Sequence, residues 1–132
     1  MKETEQKNMD RSETMNLQVN KNLEHLRKKK LFLFDIDGTI ALSEDVIEGT
    51  FQLLSHIREI GGRAVYITIN YSKSTKDYVE KFKRMGIEAE VEDFVTAGSY
   101  TLSYLVEHHK QDLIFAMGTN SYIEELKKNG LN

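Results

Sequence analysis

A short apolar run that ends in an aspartate-rich turn constrains the fold of this chain more than any other feature. Leu31-Phe-Leu-Phe34 is continuously apolar, and Asp35-Ile-Asp-Gly-Thr39 follows it directly. An apolar run of this length without alternation is typical of a strand that is buried on both faces of a parallel sheet. Gly38 allows the backbone to turn sharply after that strand. The pattern therefore predicts a buried strand with two carboxylates at its carboxyl end.

The rest of the chain alternates between helical and strand-like patterns. Apolar spacing predicts helices after an Asp45–Glu48 capping box, from Ser74, over Leu102 to His109, and from Ser121. Gly61 and Gly86 are expected to end the first two of these helices. Further strands are predicted at 64–69, near 94–95 and at 113–117. Strands that alternate with helices indicate βαβ units, so we predict an α/β fold with a Rossmann-like parallel sheet.

The first 30 residues differ in composition from the remainder. We predict a polar N-terminal extension over 1–30, poorly ordered up to residue 16 and with a short helix over roughly 17–29. An α/β core is predicted over 31–132. The basic run from Arg27 to Lys30 is interpreted as a solvated flank of the first strand, because the whole chain carries a net charge of −3.

Composition excludes several classes of protein. The chain contains no cysteine, which rules out disulfides, thiolate zinc sites and a cysteine nucleophile. No apolar run is long enough to span a bilayer. The 18 basic and 21 acidic residues do not form the electrostatic footprint of a nucleic-acid binder. We expect a cytoplasmic protein without membrane or nucleic-acid partners.

Polar side chains follow two of the predicted strands, where ligands bind in open parallel sheets. Asp35 and Asp37 end the first strand, and Thr68 and Asn70 end the second. A pair of carboxylates can bind a hard cation, attack as a nucleophile or transfer a proton. Thr39, Thr68 and Asn70 offer neutral donors for phosphate oxygens. Two adjacent histidines, His108 and His109, point apart on a helix and are not expected to bind a metal.

Two other interpretations of Asp35 and Asp37 are less favoured than a binding or catalytic role. A lone Asp-x-Asp pair often caps a turn, but here it follows an apolar strand and precedes Gly-Thr. An EF-hand loop would need an acidic residue or Asn in place of Thr39 and Gly in place of Ile40. A binding or catalytic role is therefore favoured.

Two segments resemble the motifs of a known family. Phe32 to Ile40 resembles the first motif of the haloacid dehalogenase (HAD) superfamily, an apolar strand followed by Asp-x-Asp-Gly-Thr. Tyr66 to Ser74 resembles its second motif, a strand that ends in Thr or Ser followed by Asn. The order and spacing over about 31–130 are similar to subfamily IIA, which includes p-nitrophenyl phosphatase-like enzymes and nucleotide and sugar phosphatases.

The resemblance implies a magnesium-dependent phosphatase that acts on a small phosphorylated metabolite. Asp35 would attack phosphorus and form an aspartyl-phosphate, and Asp37 would act as general acid and base. Mg²⁺ would be held by the Asp35 carboxylate and the Asp37 backbone carbonyl. Thr68 would hold the phosphate, and Gly38, Thr39 and Asn70 complete the expected substrate-binding residues.

Three departures from the family pattern lead to an alternative. Ile69 occupies the position after Thr where the family usually carries Asn. The later lysine and the later acidic motif of the family have no counterpart, and the sequence ends about where the cap of subfamily IIA begins. We therefore expect an incomplete core without cap or C-terminal motifs, and a sheet whose first strand has an open edge. The alternative function is a non-catalytic module that binds a phosphorylated ligand or a partner chain, with a second copy of the chain as one partner at that edge.

Overall fold

The computed structural model describes residues 24–132. The chain divides into two compact units, Met1–Lys30 and Leu31–Asn132. In the first unit, residues 24–27 are helical, so the predicted helix over roughly 17–29 ends in the structure at Arg27. The predictions for residues 1–23 lie outside the described residues.

A parallel sheet of three strands forms the centre of the second unit. Its strands are β1 (Leu31–Asp35), β4 (Arg63–Thr68) and β5 (Phe94–Thr96), and their order is β1-β4-β5. A separate antiparallel hairpin, β2 (Ala41–Leu42) with β3 (Asp45–Val46), lies between β1 and the first helix. The predicted parallel α/β arrangement is confirmed, and β1 is an edge strand of this sheet.

Four helices follow the hairpin and the parallel strands. They are α1 (Thr50–Glu59), α2 (Thr75–Arg84), α3 (Ala97–His108) and α4 (Asn120–Lys128), and a short 3₁₀ helix covers Val91–Asp93. Each helix lies where apolar spacing predicts one, and only the starts of α1 and α3 differ from the prediction by several residues.

The starts of α1 and α2 differ in how they are capped. At α2, Ser74 Oγ accepts from the Asp77 backbone N–H at 3.2 Å, and the Asp77 carboxylate accepts from the Ser74 N–H at 3.0 Å. This capping box confirms the prediction for Ser74. The Asp45–Glu48 capping box is wrong, because Asp45 is part of the β2–β3 hairpin and Gly49, in a left-handed conformation, precedes α1.

One face of the sheet carries the core. Phe82 of α2 is fully buried, and its ring meets those of Tyr66 and Phe94 edge-on, with centroids 4.5 and 4.9 Å apart. Leu54 and Ile57 of α1 are buried in the same cluster. The two helices are therefore held on the sheet by an aromatic and aliphatic layer, and this layer fixes their position relative to the strand ends.

The opposite face of the sheet corrects the prediction that β1 is buried on both faces. Leu31 and Leu33 are 57% and 60% exposed, and Ile67 and Val95, on the neighbouring strands, are also exposed. Phe32 and Phe34 point the other way and pack against the core. The sequence run is apolar throughout, but α1 and α2 cover only one face of the strand that it forms.

The predicted strand at 113–117 is also wrong. The backbone there pairs with no strand of the described residues, and Leu113, Phe115 and Met117 are exposed. The alternate residues, Ile114 and Ala116, pack against a small cluster of α4 side chains. The segment has the side-chain alternation of a strand, but its Ile114 N–H donates to the Asn132 carbonyl at 2.7 Å and it forms no ladder with a strand of residues 24–132.

Candidate active site

The loop after β1 is folded tightly by its own backbone. The N–H groups of Thr39 and Ile40 donate to the Ile36 carbonyl at 3.3 and 3.0 Å, and the Gly38 N–H donates to the Ala41 carbonyl at 2.9 Å. Gly38 has a φ of +86°, a conformation that other residues adopt with strain. Ile36 and Ile40 are buried beneath the loop. The 36–41 loop is therefore held in a compact turn, with Asp37 and Thr39 exposed on it and Asp35 exposed at the strand end that precedes it.

The Asp37 carboxylate has a cationic partner from α2. Lys81 Nζ donates to Asp37 Oδ1 at 3.3 Å. The Lys81 side chain is 14% exposed, whereas that of Asp37 is 62% exposed. The ammonium is thus held against the body of the protein and the carboxylate faces outward.

The end of β4 lies beside the end of β1, because Asp35 is in register with Ile67. Thr68 follows Ile67 and is 5% exposed, and its hydroxyl accepts from the Asn70 N–H at 3.2 Å. Burial raises the pKa of Tyr78, whose hydroxyl also interacts with that of Thr68. The Thr68 hydroxyl is therefore engaged within the protein.

Asn70 shapes the exit loop of β4. Its side-chain oxygen accepts from the N–H and from the hydroxyl of Ser72, both at 2.9 Å. The amide nitrogen of the same side chain remains a donor for a ligand. Ile69, between Thr68 and Asn70, is 90% exposed, so its apolar side chain points into solvent.

A polar cavity of about 500 Å³ adjoins Asp37. Arg84 and Glu44 form one part of its wall through a two-pronged ion pair, in which Arg84 Nη2 lies 2.6 Å from Glu44 Oε1. Hydrogen bonding from Arg84 lowers the pKa of the Glu44 carboxyl. The other lining residues are Ser43, Lys73, Asp77, Tyr78, Glu80, Lys81, Thr119 and Ser121.

The structure distributes the predicted site residues over two neighbouring strand ends. Asp37 lines the cavity, while Asp35, Gly38, Thr39, Thr68 and Asn70 are not among the lining residues. The cavity is also lined by Lys81, Glu44 and Arg84, which were not predicted from the sequence as site residues. Lys81 follows the buried Tyr78 by one helical turn, and this spacing indicates that Lys81 lies at the edge of the buried face. The spacing does not indicate which carboxylate Lys81 contacts.

The carboxyl groups of the loop suit a hard cation. Asp35 and Asp37 supply oxygen donors only, and Mg²⁺ is commonly held by one or two carboxylates while water and substrate phosphate fill its other positions. No group of three or more His, Cys, Asp or Glu side chains that could hold a metal is found within residues 24–132. The donors present therefore fit a magnesium-type ion with open positions and do not form a closed structural metal site.

Comparisons with known proteins identify the family that this sequence matches. A family described as haloacid dehalogenase-like hydrolase matches residues 32–132. Phosphoglycolate phosphatase 2 of Arabidopsis thaliana is 34% identical over 99 residues, which are 73% of this chain and 33% of that protein. The chain thus spans about a third of this relative.

Solved structures show the same fold. A 4-nitrophenylphosphatase from Thermotoga maritima has a TM-score of 0.74 and 30% identity, over 81% of this chain and 41% of that one. A glycerol phosphate phosphatase from Mycobacterium tuberculosis, solved in complex with magnesium, has a TM-score of 0.69 and 25% identity, over 80% and 32% of the two chains.

The helices of residues 24–132 are too short or too polar to cross a membrane.

Proposed function

The chain belongs to the haloacid dehalogenase-like hydrolase family, and from this we propose that it hydrolyses phosphate monoesters with Asp35 as nucleophile. The observation that carries the proposal is the position of Asp35 at the carboxyl end of β1, with Asp37 on the hydrogen-bonded loop that follows, where it lines a polar cavity. The three relatives named above are phosphatases by name, which supports the same reaction class.

The proposed reaction has two steps. In the first, an Asp35 carboxylate oxygen attacks phosphorus, the bond from phosphorus to the ester oxygen breaks, and that oxygen leaves with the proton of Asp37. In the second, water attacks phosphorus and gives a proton to the Asp37 carboxylate, while the bond to Asp35 breaks. Inorganic phosphate is released, and both carboxyl groups return to their starting states.

We propose that the substrate phosphate is bound between the two strand ends. The Thr39 hydroxyl and the Asn70 side-chain amide can donate to phosphate oxygens, and Gly38 lets the ligand approach the backbone. Thr68 would contribute chiefly by ordering the exit loop, because its hydroxyl is buried and accepts from the Asn70 N–H.

The proposed cofactor is Mg²⁺, held by the Asp35 carboxylate and the Asp37 backbone carbonyl. When bound, such an ion offsets the charge between an anionic nucleophile and an anionic phosphate. The lining of the adjoining cavity, which is polar and charged, favours a small polar leaving group.

The proposal is tested by hydrolysis of p-nitrophenyl phosphate by the 132-residue chain, with and without Mg²⁺. We expect turnover that requires Mg²⁺ and that Asp35→Asn abolishes. Asp45→Asn, which changes an exposed carboxylate of β3, is the matched control and should keep the wild-type rate. Turnover that survives in Asp35→Asn would contradict the assigned nucleophile.

A second candidate function is association with another copy of this chain through the β1 edge. Two features favour it: β1 is an edge strand of the described sheet and contains no proline, which makes it a template for pairing, and Leu31 and Leu33 are exposed on its uncovered face. Sedimentation equilibrium over a concentration series tests it. Self-association that Leu33→Lys removes would support this function, and a monomer at all concentrations would exclude it.

A further inference from the structure

Lys81 reaches the site from a distant part of the sequence. Its ammonium donates to Asp37 Oδ1 across a separation of 44 residues. Lysine side chains are mostly exposed, yet only 14% of this one is accessible. The ion pair is therefore not a contact between two mobile surface groups.

Packing of α2 fixes where this ammonium lies. Phe82, the next residue, is fully buried in the aromatic layer, and Tyr78, one turn earlier, is 3% exposed. The capping box at Ser74 holds the start of the helix. The packing of Tyr78 and Phe82 thus fixes the orientation of the helix that carries Lys81. The Lys81 ammonium therefore lies beside one oxygen of Asp37.

We infer that Lys81 is a positioning residue for Asp37, an inference that rests on the proposed function. With Oδ1 accepting from Lys81, Oδ2 is the oxygen that exchanges protons with the leaving group and with water. The ammonium also places a positive charge beside Asp37, near the strand end where Asp35 lies and where the substrate phosphate would bind.

The test compares two substrates that differ in their need for an acid. A p-nitrophenolate leaves without a proton, whereas the alkoxide of glycerol phosphate requires one. If Lys81 acts through Asp37, Lys81→Met should lower kcat/KM for glycerol phosphate roughly 10- to 100-fold, a part of what general acid catalysis supplies. The loss for p-nitrophenyl phosphate should be clearly smaller, and Lys81→Arg should restore part of the activity.

Two controls separate positioning from general damage. Lys83→Met changes an exposed lysine of the same helix and should leave both substrates unaffected. In an Asp37→Asn background, Lys81→Met should add little further loss, because the group that it positions is already absent. Equal losses for the two substrates, or the same loss with and without Asp37, would overturn the inference.

Failure of the proposed function gives a different result. A wild-type chain that hydrolyses neither substrate refutes the phosphatase proposal itself. The Lys81 inference is then decided by urea unfolding of Asp37→Asn, Lys81→Met and the double variant. Coupled changes in the free energy of unfolding would support positioning, and additive changes would overturn it.

Discussion

Phe82→Ala is expected to remove much of the stability of the core, because this ring joins α2 to the sheet. Phe82 is 0% exposed and contacts two further rings at centroid distances of 4.5 and 4.9 Å. Truncating a buried phenylalanine costs about 3–5 kcal/mol, from lost transfer free energy and the cavity that remains. For a domain of about 100 residues, this corresponds to a fall in Tm of at least 12 °C.

The assay is urea unfolding followed by far-UV circular dichroism, together with a thermal scan. Phe51→Ala is the matched control, since Phe51 belongs to α1 and is 48% exposed. Its truncation should cost about 1 kcal/mol, because roughly half of the ring already meets water. If Phe82→Ala lowered the free energy of unfolding no more than Phe51→Ala does, the aromatic layer would not be what seats α2 on the sheet.

Three other substitutions test separate parts of the account. Ser74→Ala removes the α2 capping box and should cost about 1 kcal/mol in urea unfolding, whereas Ser55→Ala, on an exposed face of α1, should cost less. Burial raises the pKa of Glu125 above 4.5 despite hydrogen bonding with Thr75, so stability falls as pH rises through the window above that value. In paired urea titrations, the free energy of unfolding of Glu125→Gln, relative to that of wild type, should therefore be higher at pH 7 than at pH 4. An equal difference between the two proteins at both pH values would contradict this. Ile69→Asn adds a donor where an exposed apolar side chain stands, and one hydrogen bond of about 1 kcal/mol should lower the KM for p-nitrophenyl phosphate roughly fivefold.

Local signals in the sequence predict much of this fold. The capping box at Ser74 and the helix end at Gly86 depend on residues within a few positions of one another, so the sequence contains what determines them. That β1 and β4 are parallel neighbours agrees with the alternation of strands and helices, because strands that follow one another in the chain often lie side by side. These elements alone place Asp35 and Thr68 at neighbouring strand ends.

Features that depend on distant partners were not predictable in the same way. The 113–117 segment has the composition of a strand, but strand formation needs a neighbouring strand to accept its backbone hydrogen bonds. The β2–β3 hairpin turns through Ser43 at a φ of 59°, without the Gly or Asn that usually indicates such a turn. The contact between Lys81 and Asp37 depends on how α2 packs, which no local pattern specifies.

The most direct test of the account is whether Asp35 becomes phosphorylated during turnover. We would mix the chain with p-nitrophenyl phosphate and Mg²⁺, quench in acid, and map peptides by mass spectrometry. Asp37→Asn should accumulate the intermediate, because it lacks the base that activates water for the second step. We predict one added phosphoryl group on the peptide that contains Asp35, absent in Asp35→Asn. Turnover without any phosphorylated peptide, or with the phosphoryl group on another residue, would contradict the central claim.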